Sequence, residues 1–286
     1  MVISEHRIPV VRADLHSADD WISGIRRYDA AFFGPWDEQL RRSLTSKVLD
    51  EKSASVIVVG LHSLLHVQPV EIERSVDSAF EHGASIAELL EAILHVAILE
   101  GGLHCIHDGF EAVENTVAKR SELGLPSPTN GQGLRPEDMI PESPFAVEHV
   151  EPVPPVFPYM SPSPRLYMAV WDKFAPASLA AFRQFRAVQF NSRQELSRRS
   201  QELLIVAVDA MILWPAPLID HHVHAAFNVG ATLEEQVDTV LLAATQQGGV
   251  AALHHGLAAL DRVVKEREEA GVLVPRSAGP DVRQPE

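Results

Sequence analysis

The feature that most constrains this chain is an internal repeat. Residues 49–109 realign on residues 196–256 at a constant offset of 147 with no gap, and between 71–110 and 218–257 the two copies share 13 of 40 positions. The chain is therefore read as a duplication of one structural unit.

That unit is helical. The apolar stretches SASVIVVGLHSLLH (53–66) and QELLIVAVDAMILW (201–214) are too long for ordinary strands. Each follows a short turn, Leu49–Lys52 in the first copy and Leu196–Arg199 in the second. Ile72, Val76 and Phe80 stand at i, i+4 and i+8, and Ile219, Val223 and Phe227 repeat them, which marks one buried helical stripe. Gly83 and Gly230 close those helices as C-caps. Ser85 with Glu88, and Thr232 with Glu235, have capping-box spacing. The helices they open run to Gly101-Gly102 and Gly248-Gly249, and a last helix follows each pair, in the first copy from Leu103 towards Lys119. Ahead of the first copy, 21–33 and 36–49 read as two further helices separated by Gly34-Pro35.

The copies are joined by a different kind of sequence. Eleven of the 20 prolines fall between Pro126 and Pro164, and proline both fixes φ and lacks an N–H. The expected organisation is all-α: a first helical repeat over 1–120, a Pro-rich linker over 121–165, a second repeat over 166–274, and a loose polar tail over 275–286.

Composition removes several classes of function. A formal net charge of -15 leaves no basic face for a nucleic acid. A single cysteine excludes an intramolecular disulfide and a dithiol redox pair, and Cys105 reads as a small buried hydrophobe. Charges interrupt the apolar run at the N-terminus, which is unlike a signal peptide, and no uncharged run approaches the roughly 18 residues of a membrane span. A cytoplasmic protein is expected.

The chemistry concentrates in WPAPLIDHHVHAAF, Trp214–Phe227. By helical spacing His222 shares the stripe of Ile219, Val223 and Ala226 and faces inward, whereas His221 and His224 turn towards a rim or water. An inward imidazole beside a carboxylate suits general acid–base work, and Glu202 on the preceding helix is the candidate partner. The competing reading of such a histidine is a hydrogen-bonded core residue. Asp209 interrupts an apolar run, and His62 occupies the matching place in the first copy, so each unit is expected to hold a polar pocket. Trp214, Pro215 and Pro217 would stiffen and reshape the pocket wall, with His221 at its edge. A metal is not favoured, since no HExxH-type signature is present. A divalent ion, if bound, would draw on His62 and His66 at i, i+4 and on His104 and His107 at i, i+3.

The segments LSRRSQELLIVAV from Leu196, DHHVHAAFNVGATLEEQVDTVLLAA from Asp220 and QQGGVAALHHGL from Gln246 resemble the carboxymuconolactone decarboxylase family, which includes the alkylhydroperoxidase D-like proteins. The resemblance covers about 70 residues of each half and is weaker in the first. It implies an all-α unit that self-associates, into a trimer or a dimer-based ring. It also implies a proton relay of a glutamate and a histidine, matching Glu202 and His222, next to a Cys-x-x-Cys pair. The cysteine positions hold Pro215 and Leu218, so thiol peroxidase chemistry lacks its nucleophile, and in the first copy the relay positions hold Ser55 and Ser75.

The expected function is a redox-inactive, decarboxylase-like lyase acting on a small carboxylated or lactone-type organic acid through His222 and Glu202. The alternatives are a metal-dependent enzyme built on the clustered histidines, and a non-catalytic assembly or binding member of the family.

Overall fold

The computed structural model describes residues 48–131, 173–181 and 195–277. The helices expected at 21–33 and 36–49, most of the Pro-rich linker and the end of the tail lie outside the described residues.

Four α-helices form the first set: α1 (Glu51–Leu64), α2 (Pro69–Glu81), α3 (Ile86–Val96) and α4 (Gly102–Glu122), with a π-helical turn, Ala97–Gly101, between the last two. The second set is α5 (Arg198–Met211), α6 (Ala216–Asn228), α7 (Leu233–Ala243), a π-helical turn at Ala244–Gly248, and α8 (Gly249–Glu269). Each element has a counterpart of equal length 147 residues further on. Among the described residues there is no strand.

Local chemistry explains the helix starts. Asp50 caps α1 by accepting from Ser53 N at 2.8 Å, and Ser197 caps α5 by accepting from Ser200 N at 3.1 Å. The first helical turn therefore begins inside the segments expected to be turns, at Glu51 and Arg198. Both capping boxes form: Glu88 N donates to Ser85 Oγ at 3.1 Å while Ser85 N donates to Glu88 Oε2 at 2.7 Å, and Thr232 and Glu235 repeat the exchange at 3.3 and 2.8 Å. Each capping glutamate also holds a cation from the first turn of its own set, Lys52 on Glu88 and Arg199 on Glu235.

The π-helical turns are not legible as a sequence pattern. They interrupt what reads as one long helix, and each is followed by a glycine in the left-handed region, Gly102 at φ 61° and Gly249 at φ 56°. At the ends of α1 and α5 the left-handed residue is not glycine: His66 has φ 48° and Leu213 has φ 57°.

The sets share one core. Val58, Val59 and Leu61 of α1 and Leu203 through Val208 of α5 are fully buried, so these two helices run through the middle of the molecule. A Cβ on Gly60 would stand 2.9 Å from Leu204 Cδ1, which shows how closely α1 and α5 approach. Across the seam the capping is reciprocal. Glu91 of α3 accepts from Glu195 N at 2.8 Å and Leu196 N at 3.0 Å, ahead of α5; Asp238 of α7 accepts from Val48 N at 3.1 Å and Leu49 N at 3.2 Å, ahead of α1. These positions are also related by 147 residues, so the two sets face each other about an approximate two-fold axis.

The tail is less loose than expected at its start. Leu233 N donates to Pro275 O at 2.9 Å, and Ser277 N donates to Glu234 Oε2 at 2.7 Å, which pins 275–277 to the start of α7. The chain leaving α4 turns back in the same way, with Ile86 N donating to Thr129 O at 2.9 Å. A buried arginine supports each return: Arg120 donates to Pro126 O and Arg267 to Leu273 O.

Candidate active site

Helices α5 and α6 bring Glu202 and His222 together. His222 Nδ1 lies 3.0 Å from Glu202 Oε2, and Arg198 Nη2, one turn before Glu202, lies 2.6 Å from Oε1. The side chains of Glu202, His222 and Arg198 are 1%, 11% and 26% exposed. Burial alone would raise the Glu202 carboxyl. The His222 hydrogen bond and the charges of Arg198, His222 and His221 outweigh burial and hold the carboxyl below its usual range. An ionised carboxylate only accepts, so Nδ1 carries the proton towards Glu202 and Nε2 is the ring nitrogen able to exchange a proton with a ligand.

Around this couple the expected residues divide. His221 packs edge-on against His222, ring centroids 5.0 Å apart, and is partly buried. Trp214 is also partly buried and follows the left-handed Leu213, its N–H reaching Asp209 O at 3.0 Å; the Asp209 side chain is buried in α5. Pro215 and Leu218 flank the start of α6 where cysteines would stand, and Cys105, the single thiol, is buried with its pKa pushed up by burial to about 12. It is not a thiolate at neutral pH.

His224 departs from expectation. It is fully buried, not at a rim, and Nε2 lies 3.2 Å from Glu266 Oε2 of α8. Helix α6 is covered on more than one side, so the face opposite His221 also meets protein. Burial pushes the His224 imidazole below its ordinary value.

The first set is rewired. Ser55, at the Glu202 position, stands 3.0 Å from His82 Nδ1, while Ser75, at the His222 position, stands 3.3 Å from His62 Nδ1. The two serines thus bond to separate histidines. His62 Nε2 also reaches Gln246 Oε1 of the second π-helical turn at 2.7 Å, so this polar site spans the seam. Burial pushes the His62 imidazole down.

The four histidines considered as a metal set do not converge. The i, i+4 relation of His62 and His66 fails because α1 ends at Leu64 and His66 takes a left-handed conformation. His66 and His107 instead share Asp108, at 3.3 and 3.1 Å, with the His104 ring 6.1 Å from that of His66. Among the described residues no three His, Cys, Asp or Glu side chains are arranged to hold a metal ion. A recess at the seam is lined by Lys52, Val56, Glu88, Leu196, Ser200 and Leu203, and its walls do not include His222 or Glu202.

Fold and site together define an all-helical protein with a buried carboxylate–imidazole couple held between two helices. Residues 176–262, within the second half of the chain, match the model of the carboxymuconolactone decarboxylase family. A crystal structure from Burkholderia xenovorans LB400, named as a candidate gamma-carboxymuconolactone decarboxylase subunit, aligns with a TM-score of 0.50 and 19% identity over 85% of this chain and 90% of that one. At that identity the likeness is one of fold. No curated protein matches the chain in sequence. No helix among the described residues is long and apolar enough to cross a membrane.

Proposed function

We propose that the chain is a redox-inactive lyase, or a related proton-transfer enzyme, acting on a small carboxylated or lactone-type organic acid. The observation that carries this reading is the 3.0 Å contact between His222 Nδ1 and the buried Glu202 carboxylate. Such a couple fixes the tautomer of the ring and stabilises its protonated form. In a decarboxylation the C–C bond to the carboxyl group breaks, CO2 leaves, and the electron pair passes into an adjacent carbonyl as an enolate. His222 in its protonated form gives a proton to the carbon and returns to neutral, while Glu202 stays ionised. The match of residues 176–262, which hold both Glu202 and His222, to the carboxymuconolactone decarboxylase family favours this reaction class.

The test is a screen of β-keto acids and carboxylated lactones for CO2 release, followed by His222→Asn and Glu202→Gln on any substrate found. The expected loss in kcat is about 10²–10⁴-fold for His222→Asn, the usual contribution of a positioned acid–base group. Full activity in that variant ends the proposal.

We further read the chain as a tandem pair of family units that assembles with other copies into a ring. Two observations favour this. Leu103 and Val250 hold matching positions in α4 and α8 and are 82% and 78% exposed. The Burkholderia protein is named as a subunit. Light scattering of Leu103→Glu and Val250→Glu tests it: smaller particles than wild type are expected, and an unchanged mass refutes it.

A further inference from the structure

Arg198 is not among the residues that the His-rich segment singles out, yet it completes the site. Its Nη2 and His222 Nδ1 sit on the two oxygens of one carboxylate, at 2.6 and 3.0 Å, which keeps guanidinium and imidazole side by side. Of the three side chains that of Arg198 is the most accessible, at 26%, and its Nη1 also donates to Gln201 Oε1 at 3.4 Å.

Helix stability does not call for an arginine here. Arg198 is the first residue of α5, where the positive end of the helix dipole disfavours a cation, and α1 carries Glu51 at the matching place. The three groups also change together. Where the first set has serine for both Glu202 and His222, it has a glutamate for Arg198. Neutralising Glu202 would require only a positive charge, whereas a planar guanidinium can also engage a second carboxylate in fork geometry.

We propose that Arg198 holds a carboxylate group of the substrate beside His222, so that the site selects organic acids over their neutral esters. This rests on the acid–base reading of His222 and Glu202. The carboxylate held is one that stays on the product, with the reacting carbon presented to His222 Nε2.

The test uses the full chain with 4-oxopentanoate and its methyl ester, which differ only in the charged group. Binding is followed by NMR of the histidine side chains. Proton transfer is followed as deuterium entering C3 of the acid from D2O: His222 takes a proton from C3, leaves the enolate, and a deuteron returns. Wild type is expected to bind the acid at least 10-fold more tightly than the ester. Arg198→Gln should remove that preference and leave ester binding unchanged. Arg198→Lys, which keeps a charge for Glu202 and guards against misfolding, should also weaken acid binding several-fold. In both variants His222 Nδ1 should stay hydrogen-bonded to Glu202, its proton remaining visible in the NMR spectrum.

Equal binding of acid and ester by wild type, absence of acid binding, or unchanged acid binding in Arg198→Gln each overturns the proposal. Loss of that proton signal does so too, because Arg198 would then act only by holding Glu202 and His222 in place. Acid binding that depends on Arg198 without any deuterium exchange refutes the acid–base reading and leaves the carboxylate site standing.

Discussion

Glu202 and His222 are joined at 3.0 Å across two helices, with the carboxylate 1% exposed. Breaking one side of a buried, hydrogen-bonded charge pair leaves the other uncompensated, which costs about 3–5 kcal/mol. His222→Leu is therefore expected to lower the unfolding free energy measured in urea by an amount near the lower figure, because Arg198 still pairs with Glu202.

The same carboxyl makes the protein sensitive to acid. Its folded pKa is held below the ordinary value, so its contribution to stability is present above the unfolded value, about 4.3, and is lost as pH falls through the lower folded one. Urea unfolding of Glu202→Gln between pH 5 and pH 2 should show a shallower decline than wild type, although from a lower starting stability.

Glu91 works in the opposite sense. Burial pushes its carboxyl up to about 7, against hydrogen bonds from Leu196, Gln201 and Glu195. Its contribution is complete below the unfolded value and is lost as pH rises through about 7. The difference corresponds to up to about 3 kcal/mol. Comparing unfolding at pH 5 and pH 8, Glu91→Gln should lose less stability on the alkaline side than wild type does.

Helices α8 and α7 meet where a side chain would not fit. A Cβ on Gly256 would lie 2.6 Å from Val240 Cγ1 and 3.2 Å from Ala210 Cβ. Gly256→Ala is expected to destabilise the fold by about 1–3 kcal/mol through overpacking, despite alanine's better helix propensity. A thermal melt that rises would contradict this.

His62 and Gln246 couple the two sets across the seam at 2.7 Å. A double-mutant cycle with His62→Ala and Gln246→Ala should return an interaction energy of about 0.5 kcal/mol or more, and additive effects would show that the contact does not matter to stability.

Much of this architecture was legible in the chain. Caps depend on residues three apart, and the stripe of Ile219, Val223 and Phe227 on residues four apart, so both were readable locally. The inward direction of His222 followed from the same period. His224 was misplaced because periodicity gives one buried face, whereas α8 covers a second. The paired use of His62 and His66 failed on a helix end two residues early, a difference that spacing alone does not reveal.

By itself the sequence determined the helical elements, their recurrence 147 residues further on and their capping, because each rests on short-range pattern or on comparison of one half with the other, whereas the pairing of Glu202 with His222 was expected from the family resemblance. Only the tertiary structure decided that Arg198 shares the Glu202 carboxylate, that His62 belongs to a site completed by Gln246, and that Glu91 and Asp238 cap each other's sets. The last two join residues more than a hundred positions apart, and their partners are chosen by how α1, α3, α5 and α7 pack. Arg198 and Glu202 are near in sequence, but an exposed helical pair and a buried site have the same spacing. Burial distinguishes them, and burial is a property of the assembled helices.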